Sequence, residues 1–205
     1  MKPLWLVSSG VLVVTMSTAA TPEGDGAMRI RPLEISEWSP EVLTKLAGMA
    51  RAAPPEAEAQ GEDPAREQGR ALPGMLKTVA PHPELMGPFL EFSAVIAQQG
   101  ALSRRDSELL AMRAAWNCRS DFEWGHHREY ALEAGFSSEQ IARIPLGPGA
   151  EGWSVTERLL LEAADELHQR QNVSDALWAK LAAEYSDKQL VEILFVVGQY
   201  TMLSM

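Results

Sequence analysis

Asn117-Cys118-Arg119-Ser120-Asp121-Phe122-Glu123-Trp124-Gly125-His126-His127-Arg128-Glu129-Tyr130 is the stretch on which the reading turns. It holds the only cysteine of the chain and two of its four histidines. Read as a helix, it places Ser120, Glu123, His127 and Tyr130 on one side, because positions three, four and seven apart share a face. Phe122, Trp124, Ala131, Leu132 and Ala134 add apolar surface, which predicts that part of this helix is buried. A carboxylate one turn before an imidazole, on a helix packed into a core, can hold and move a proton. Glu123 and His127 are therefore the leading candidates for chemistry, and the remaining chain reads as the scaffold that buries them.

Outward from this stretch the pattern is helical. Ser103 reads as the cap of a helix from Arg104 to about Trp116, with Leu109, Leu110, Met112 and Ala115 as its apolar positions. Gly135 is a suitable left-handed stop for the motif helix. Ser137 with Gln140 forms a capping box that opens a short helix to Ile144, and Pro145 to Gly152 is a loop. Ser154 with Glu157 opens a long helix through His168, whose wide apolar face comprises Leu159, Leu160, Ala163, Ala164 and Leu167. Ser174 begins a further helix, and Ser186 with Gln189 precedes the apolar run Leu190 to Met205. On the N-terminal side, Pro81 to Pro83 breaks the chain, and Pro88 to Ile96 is helical by period, ending near Gly100. Pro40 at a first helical position starts a short amphipathic helix. No segment shows the two-residue alternation of a strand, so the fold class is all-α.

Composition limits what such a fold can serve. The chain has 205 residues, 46% of them hydrophobic and 22% charged, with a formal net charge of −10. That length suits one main domain with a tail, and the apolar fraction can fill a core without disulfides. The acidic balance argues against nucleic acid or an anionic membrane as partner, leaving a small-molecule substrate. We assign residues 1–28 as a leader, 29–71 as an N-terminal helix and flexible linker, and 72–205 as the compact helical domain. Within the leader, Lys2, the apolar run Leu4 to Met16 and Ser17-Thr18-Ala19-Ala20 resemble a signal peptide, which would direct export. The other reading is an internal start at Met16 or Met28 and a cytoplasmic protein. The C-terminal pattern reaches Met205 without a cap or stop signal, as if a longer relative would continue.

Three chemistries compete at the central stretch. Glu123 and His127 on one face suit general acid–base work, although pairs at this spacing also decorate ordinary solvated helices. Cys118, near a helix junction, suits thiol chemistry if a helix N-terminus stabilises its thiolate, although lone cysteines are more often small buried hydrophobes. Glu123, His126 and His127 are metal-ligand types, but adjacent histidines diverge by about 100° around a helix and neither HExxH nor CxxC is present. We therefore assign no metal and no cofactor. Glu108, on the preceding helix, reads either as a first-turn acid that favours the helix dipole or as a relay that reaches His127 through water.

Three blocks in order carry a family resemblance: Leu102-Ser103-Arg104-Arg105-Asp106-Ser107-Glu108-Leu109-Leu110, then Glu123-Trp124-Gly125-His126-His127, then Ala134-Gly135-Phe136-Ser137-Ser138-Glu139-Gln140-Ile141. They resemble the carboxymuconolactone decarboxylase-like superfamily, which includes the alkylhydroperoxidase D-type proteins. The resemblance covers about Pro83 to Ile144 well and the later helices more loosely. It implies an all-helical fold assembled into homo-oligomers, trimers or hexamers, with pockets near subunit contacts. The peroxidase branch carries Glu-x11-Cys-x2-Cys-x3-His. Laid on this chain, its glutamate falls on Glu108 and its histidine on His127, while its two cysteines fall on Ser120 and Glu123. Cys118 lies two positions before the first of these and does not replace it. A dithiol cycle needs an attacking and a resolving thiol, so the resemblance implies a non-redox branch: a decarboxylase-, lyase- or isomerase-like enzyme acting on an organic acid or lactone through Glu108, Glu123 and His127. A peroxidase using Cys118 and a non-catalytic helical oligomer that binds a small ligand remain the alternatives.

Overall fold

A computed structural model describes residues 30–44 and 74–205. The leader 1–28 and most of the linker assigned above lie outside the described residues. Internal contacts divide the chain after Arg31, and only Ile30 and Arg31 of the first unit are described. The second unit, Pro32–Met205, is all-α.

Seven α-helices follow one another in this unit: α1 Pro83–Gln99, α2 Arg104–Asn117, α3 Asp121–Glu133, α4 Ser138–Arg143, α5 Val155–Arg170, α6 Asp175–Glu184 and α7 Asp187–Ser204. Helical residues 40–44 and 74–79 precede them. The three capping boxes expected at Ser137, Ser154 and Ser186 are all formed. Each satisfies N–H groups that the first helical turn leaves unpaired. Gly135 takes φ 86°, and the N–H groups of Gly135 and Phe136 return to the carbonyls of Leu132 and Ala131 at 3.0 Å each. That is a Schellman stop, as the glycine implied.

The fold is built around α2, which packs against α3, α5 and α7. Every residue from Ser107 to Ala115 is buried. A helix enclosed on all sides must be apolar almost all round or must pair its polar groups. Leu109, Leu110, Met112 and Ala114 meet Leu160, Leu161 and Ala164 of α5 and Val196 and Val197 of α7 in one core. Full burial of a leucine such as Leu160 stabilises by about 1.5–3 kcal/mol. The buried Arg113 is matched completely: its Nε and Nη2 donate to Asp165 of α5 at 2.6 and 2.8 Å, and its Nη1 donates to the carbonyl of Ile144 at 2.8 Å. Glu192 of α7 accepts the N–H groups of Ala101 and Leu102, fastening the α1–α2 turn. Trp38 and Val42 form a second apolar cluster with Leu76, Ala80, Met86 and Leu90.

Two boundaries differ from the sequence reading. Helix α1 starts at Pro83 and runs through Pro88. Pro83 occupies a first-turn position where a missing N–H costs nothing, and Pro88 forfeits a single bond near the N-terminal end. The motif stretch is also not one helix. The chain stops at Asn117, turns through Cys118 and Arg119, and restarts at Asp121. Arg119 takes φ 57° with its N–H on Trp116, while the Ser120 N–H returns to Ala115 at 3.0 Å. This is a second Schellman stop with arginine where glycine is usual, so no residue type announced it. Ser120 is consequently the N-cap of α3, accepting from the Glu123 N–H at 3.3 Å, and not a member of its face.

Candidate functional site

Ser103 caps α2 by accepting the N–H of Asp106, which sets Arg104 and Glu108 in successive turns at the N-terminal end of that helix. Ser120 likewise fixes the start of α3, so that Glu123, His127 and Ala131 form its buried face. The expected apolar face is only partly inside, since Phe122 is half exposed. Helix α3 thus buries its ionisable side, which is costly unless the groups satisfy one another.

They do. Glu108, Glu123 and His127 are 1%, 3% and 4% exposed. Glu108 Oε1 pairs with the Arg104 guanidinium at 2.9 Å, and Glu108 Oε2 stands 2.7 Å from His127 Nδ1. A carboxylate paired with a guanidinium accepts, so the proton between them belongs to Nδ1, which leaves Nε2 as the ring nitrogen turned to other groups. Nε2 faces Glu123 Oε2 at 3.6 Å, too long for a direct hydrogen bond. Burial pushes the Glu123 carboxyl above its ordinary acidity range, against the opposing influence of His127. The result is a row of four groups: a cation, a fixed carboxylate, an oriented imidazole and a carboxyl that tends to keep its proton.

Aromatic rings close the surroundings. The Tyr200 ring of α7 meets the His127 ring nearly edge-on, at 4.4 Å between centroids and 76° between planes, and Tyr130 lies 5.6 Å from His127. The Arg104 guanidinium sits over the Tyr130 ring at 5.1 Å. His126 points elsewhere, between Phe122 and Tyr130, and burial together with the neighbouring His127 keeps it below the usual imidazole range despite Glu108. Among the described residues no group of three His, Cys, Asp or Glu side chains is arranged to hold a metal ion. No described helix is long and apolar enough to cross a membrane.

Of the sequence candidates, the structure brings Glu108, Glu123 and His127 together and leaves Cys118 apart. Glu108 reaches His127 directly, so the water relay considered above is not needed. The hydrogen-bonded partner of His127 is Glu108 from the neighbouring helix, with Glu123 standing off. Cys118 is the C-cap of α2, ten residues beyond Glu108 and therefore about 15 Å further along the helix. It stands where α2 presents carbonyl oxygens, not at the helix N-terminus that the thiol reading required. Its Sγ lies 3.9 Å from His168 Nδ1 on α5, at a groove of about 720 Å³ walled by Leu167, Leu194, Val197 and Met202. Arg104 and Tyr200 were not singled out from the sequence. Arg104 had a signal in its one-turn spacing to Glu108, whereas nothing in the sequence links Tyr200 to α3.

Residues 83–166, which carry Glu108, Glu123 and His127, match the model of the carboxymuconolactone decarboxylase family. Over this segment the chain is similar to the carboxymuconolactone decarboxylase family. A crystal structure of a protein of unknown function from Agrobacterium tumefaciens, titled as a candidate antioxidant defence protein AhpD, shares the fold with a TM-score of 0.57 and 20% identity, covering 62% of this chain and 87% of that one. Comparison with curated proteins gives no match. The site therefore lies within the segment that matches the family model.

Proposed function

We propose that this protein is a cofactor-free acid–base enzyme that performs decarboxylase, lyase or isomerase chemistry on a small organic acid or lactone. The single observation that carries this reading is the row Arg104–Glu108–His127–Glu123, in which Glu108, His127 and Glu123 are buried and Arg104 reaches the surface. Arg104 pairs with Glu108, and Glu108, accepting from Nδ1, holds His127 as the Nδ1–H tautomer. His127 Nε2 is then free to take a proton from a carbon acid and, once protonated, to pass it on to Glu123 or back to carbon. Glu123 keeps its proton in the buried site and delivers it to a carbanion or enol. In a decarboxylation the carbon–carbon bond breaks, carbon dioxide leaves, the electron pair passes to the adjoining carbonyl as an enolate, a proton from Glu123 quenches the carbon, and solvent water restores the Glu123 proton. The pockets that the family resemblance places near subunit contacts make a homo-oligomer, trimeric or hexameric, part of this proposal.

The test is a panel of 3-oxo acids, 2-oxo acids and lactones incubated with the protein in deuterium oxide and followed by proton NMR. Exchange at a carbon, or loss of carbon dioxide, is expected with at least one compound and is expected to disappear in His127→Ala. A panel without any such reaction overturns the proposal, as does a reaction that His127→Ala performs equally well.

A further inference from the structure

One group beside the row is not used by this mechanism. Tyr200 enters from α7, and its ring is the closest aromatic neighbour of His127, at 4.4 Å. The phenol is only partly buried, and among the described residues its hydroxyl has no hydrogen-bond partner. It nevertheless lies within electrostatic reach of Glu108, Arg104, Glu123 and the Tyr130 hydroxyl. A tyrosine hydroxyl tucked against an interior site ordinarily finds a partner. Both Glu108 oxygens are taken by Arg104 and His127, and the Tyr200 hydroxyl is still reachable from outside, so it can meet a bound molecule beside His127 Nε2.

We infer that Tyr200 is a further catalytic residue, whose hydroxyl donates a hydrogen bond to the carbonyl oxygen on which negative charge develops. This rests on the acid–base reading and narrows the substrate class to carbonyl compounds that react through an enolate. Burial, with the Glu108 and Glu123 carboxylates close by, drives the phenol well above its ordinary range, so it stays protonated as a donor at neutral pH. No proton is transferred by Tyr200 itself. It stabilises the enolate oxygen while the carbon takes its proton from Glu123 or His127, and the phenol is unchanged at the end of the cycle. Because its ring also abuts His127, one side chain spans the two centres where charge changes, oxygen and nitrogen.

The experiment uses the full chain and 4-nitrophenol, whose phenolate oxygen mimics an enolate oxygen and whose absorbance reports ionisation of the bound probe. The wild-type protein is expected to bind the phenolate, and Tyr200→Phe to bind it roughly ten- to a hundredfold more weakly, the range for one hydrogen bond to a charged acceptor. The imidazole nitrogen signals of His127 in long-range nitrogen-15 NMR are expected to stay unmoved in that variant. Equal phenolate binding by the two proteins overturns the inference, and so does a wild-type protein that binds no phenolate. Loss of binding accompanied by a displaced His127 signal overturns it too, since Tyr200 would then only pack. The outcomes separate this inference from the reading beneath it. Carbon exchange lost in His127→Ala but equal phenolate binding leaves the acid–base enzyme standing without Tyr200. Hydroxyl-dependent phenolate binding without carbon exchange keeps the oxyanion contact and removes the enzyme.

Discussion

The two ends of α2 each set an imidazole beside a reactive side chain, and they do so in opposite ways. At the N-terminal end His127 is buried, held at 2.7 Å by Glu108, which is itself held by Arg104. At the C-terminal end His168 is exposed and stands 3.9 Å from Cys118 at the edge of an apolar groove. Proton transfer rewards a fixed donor and acceptor in a dry setting, where every charge interaction is stronger. The first end has that arrangement. The second has access and slack, which suit a thiol that meets whatever the groove or the solvent brings. One helix therefore separates an organised acid–base row from a loosely arranged thiol by about 15 Å of its length.

The sharpest way to break this contrast is to remove its centre. His127→Ala should lower turnover by about 10²–10⁴-fold, the usual contribution of a positioned acid–base group. Far-ultraviolet circular dichroism should show the helices intact, because the apolar core around Leu109, Leu110 and Leu160 does not include this ring. Glu108→Gln probes orientation rather than presence. A glutamine can donate to Nδ1 and so put the ring proton on Nε2, which disables the base. The expected loss is about 10²-fold or more, by the same logic that applies to the aspartate of a serine-protease triad. Long-range nitrogen-15 NMR should show the tautomer changed, and an unchanged tautomer with full turnover would show that Glu108 does not orient the ring.

A smaller effect sharpens the electrostatic half of the contrast. Burial raises the folded-state pKa of Glu123 above its ordinary value of 4.5, with His127 opposing. Neutral Glu123 therefore suits the folded state, and the resulting stability is complete below the unfolded value and lost as pH rises through the folded one. Glu123→Gln cannot ionise. Its melting temperature relative to wild type should climb between pH 4 and pH 8 when followed by thermal denaturation. A difference that stays flat or falls over that range would mean that Glu123 is ionised in the folded protein without penalty.

How much of this was legible in the sequence follows from which signals are local. The caps at Ser103, Ser137, Ser154 and Ser186, the glycine stop at Gly135 and the apolar periods of α5 and α7 are all local, and each formed where the residues indicated. The spacing of Glu123 and His127 was legible too, because one helix fixes it. Their partnership was not. The bond that orients His127 comes from α2, and a contact between helices leaves no periodic trace. The junction near Cys118 was legible as well, but its left-handed stop at Arg119 was not, because arginine takes the position where glycine is usual. Burial of Glu123 and His127 was expected and is found, whereas of the apolar residues of α3 Phe122 lies half outside. A helix that buries its charges inverts the rule by which faces are read. That inversion is itself the strongest local sign that α3 carries function, since polar groups in a core persist only when they are satisfied or used.

The least expected effect lies at the far end of α2. If the two ends are independent, Cys118→Ser should change carbon-acid turnover by less than about twofold, the range for substitutions away from packed or charged networks. The same protein treated with hydrogen peroxide and then dimedone should reveal whether the thiol has chemistry of its own: a sulfenic acid forms as the sulfur gains oxygen and the peroxide is reduced to water, and dimedone traps it. Labelling at Cys118 that weakens in His168→Ala, with turnover untouched, would give the molecule two sites on one helix and revive a single-thiol role beside the acid–base one. Labelling together with lost turnover in Cys118→Ser would join the ends instead, and the row at His127 would then be serving a reaction that begins at sulfur. The distance along α2 favours independence, because the thiol has His168 Nδ1 at 3.9 Å as its own neighbour while His127 is held by Glu108 at the other end.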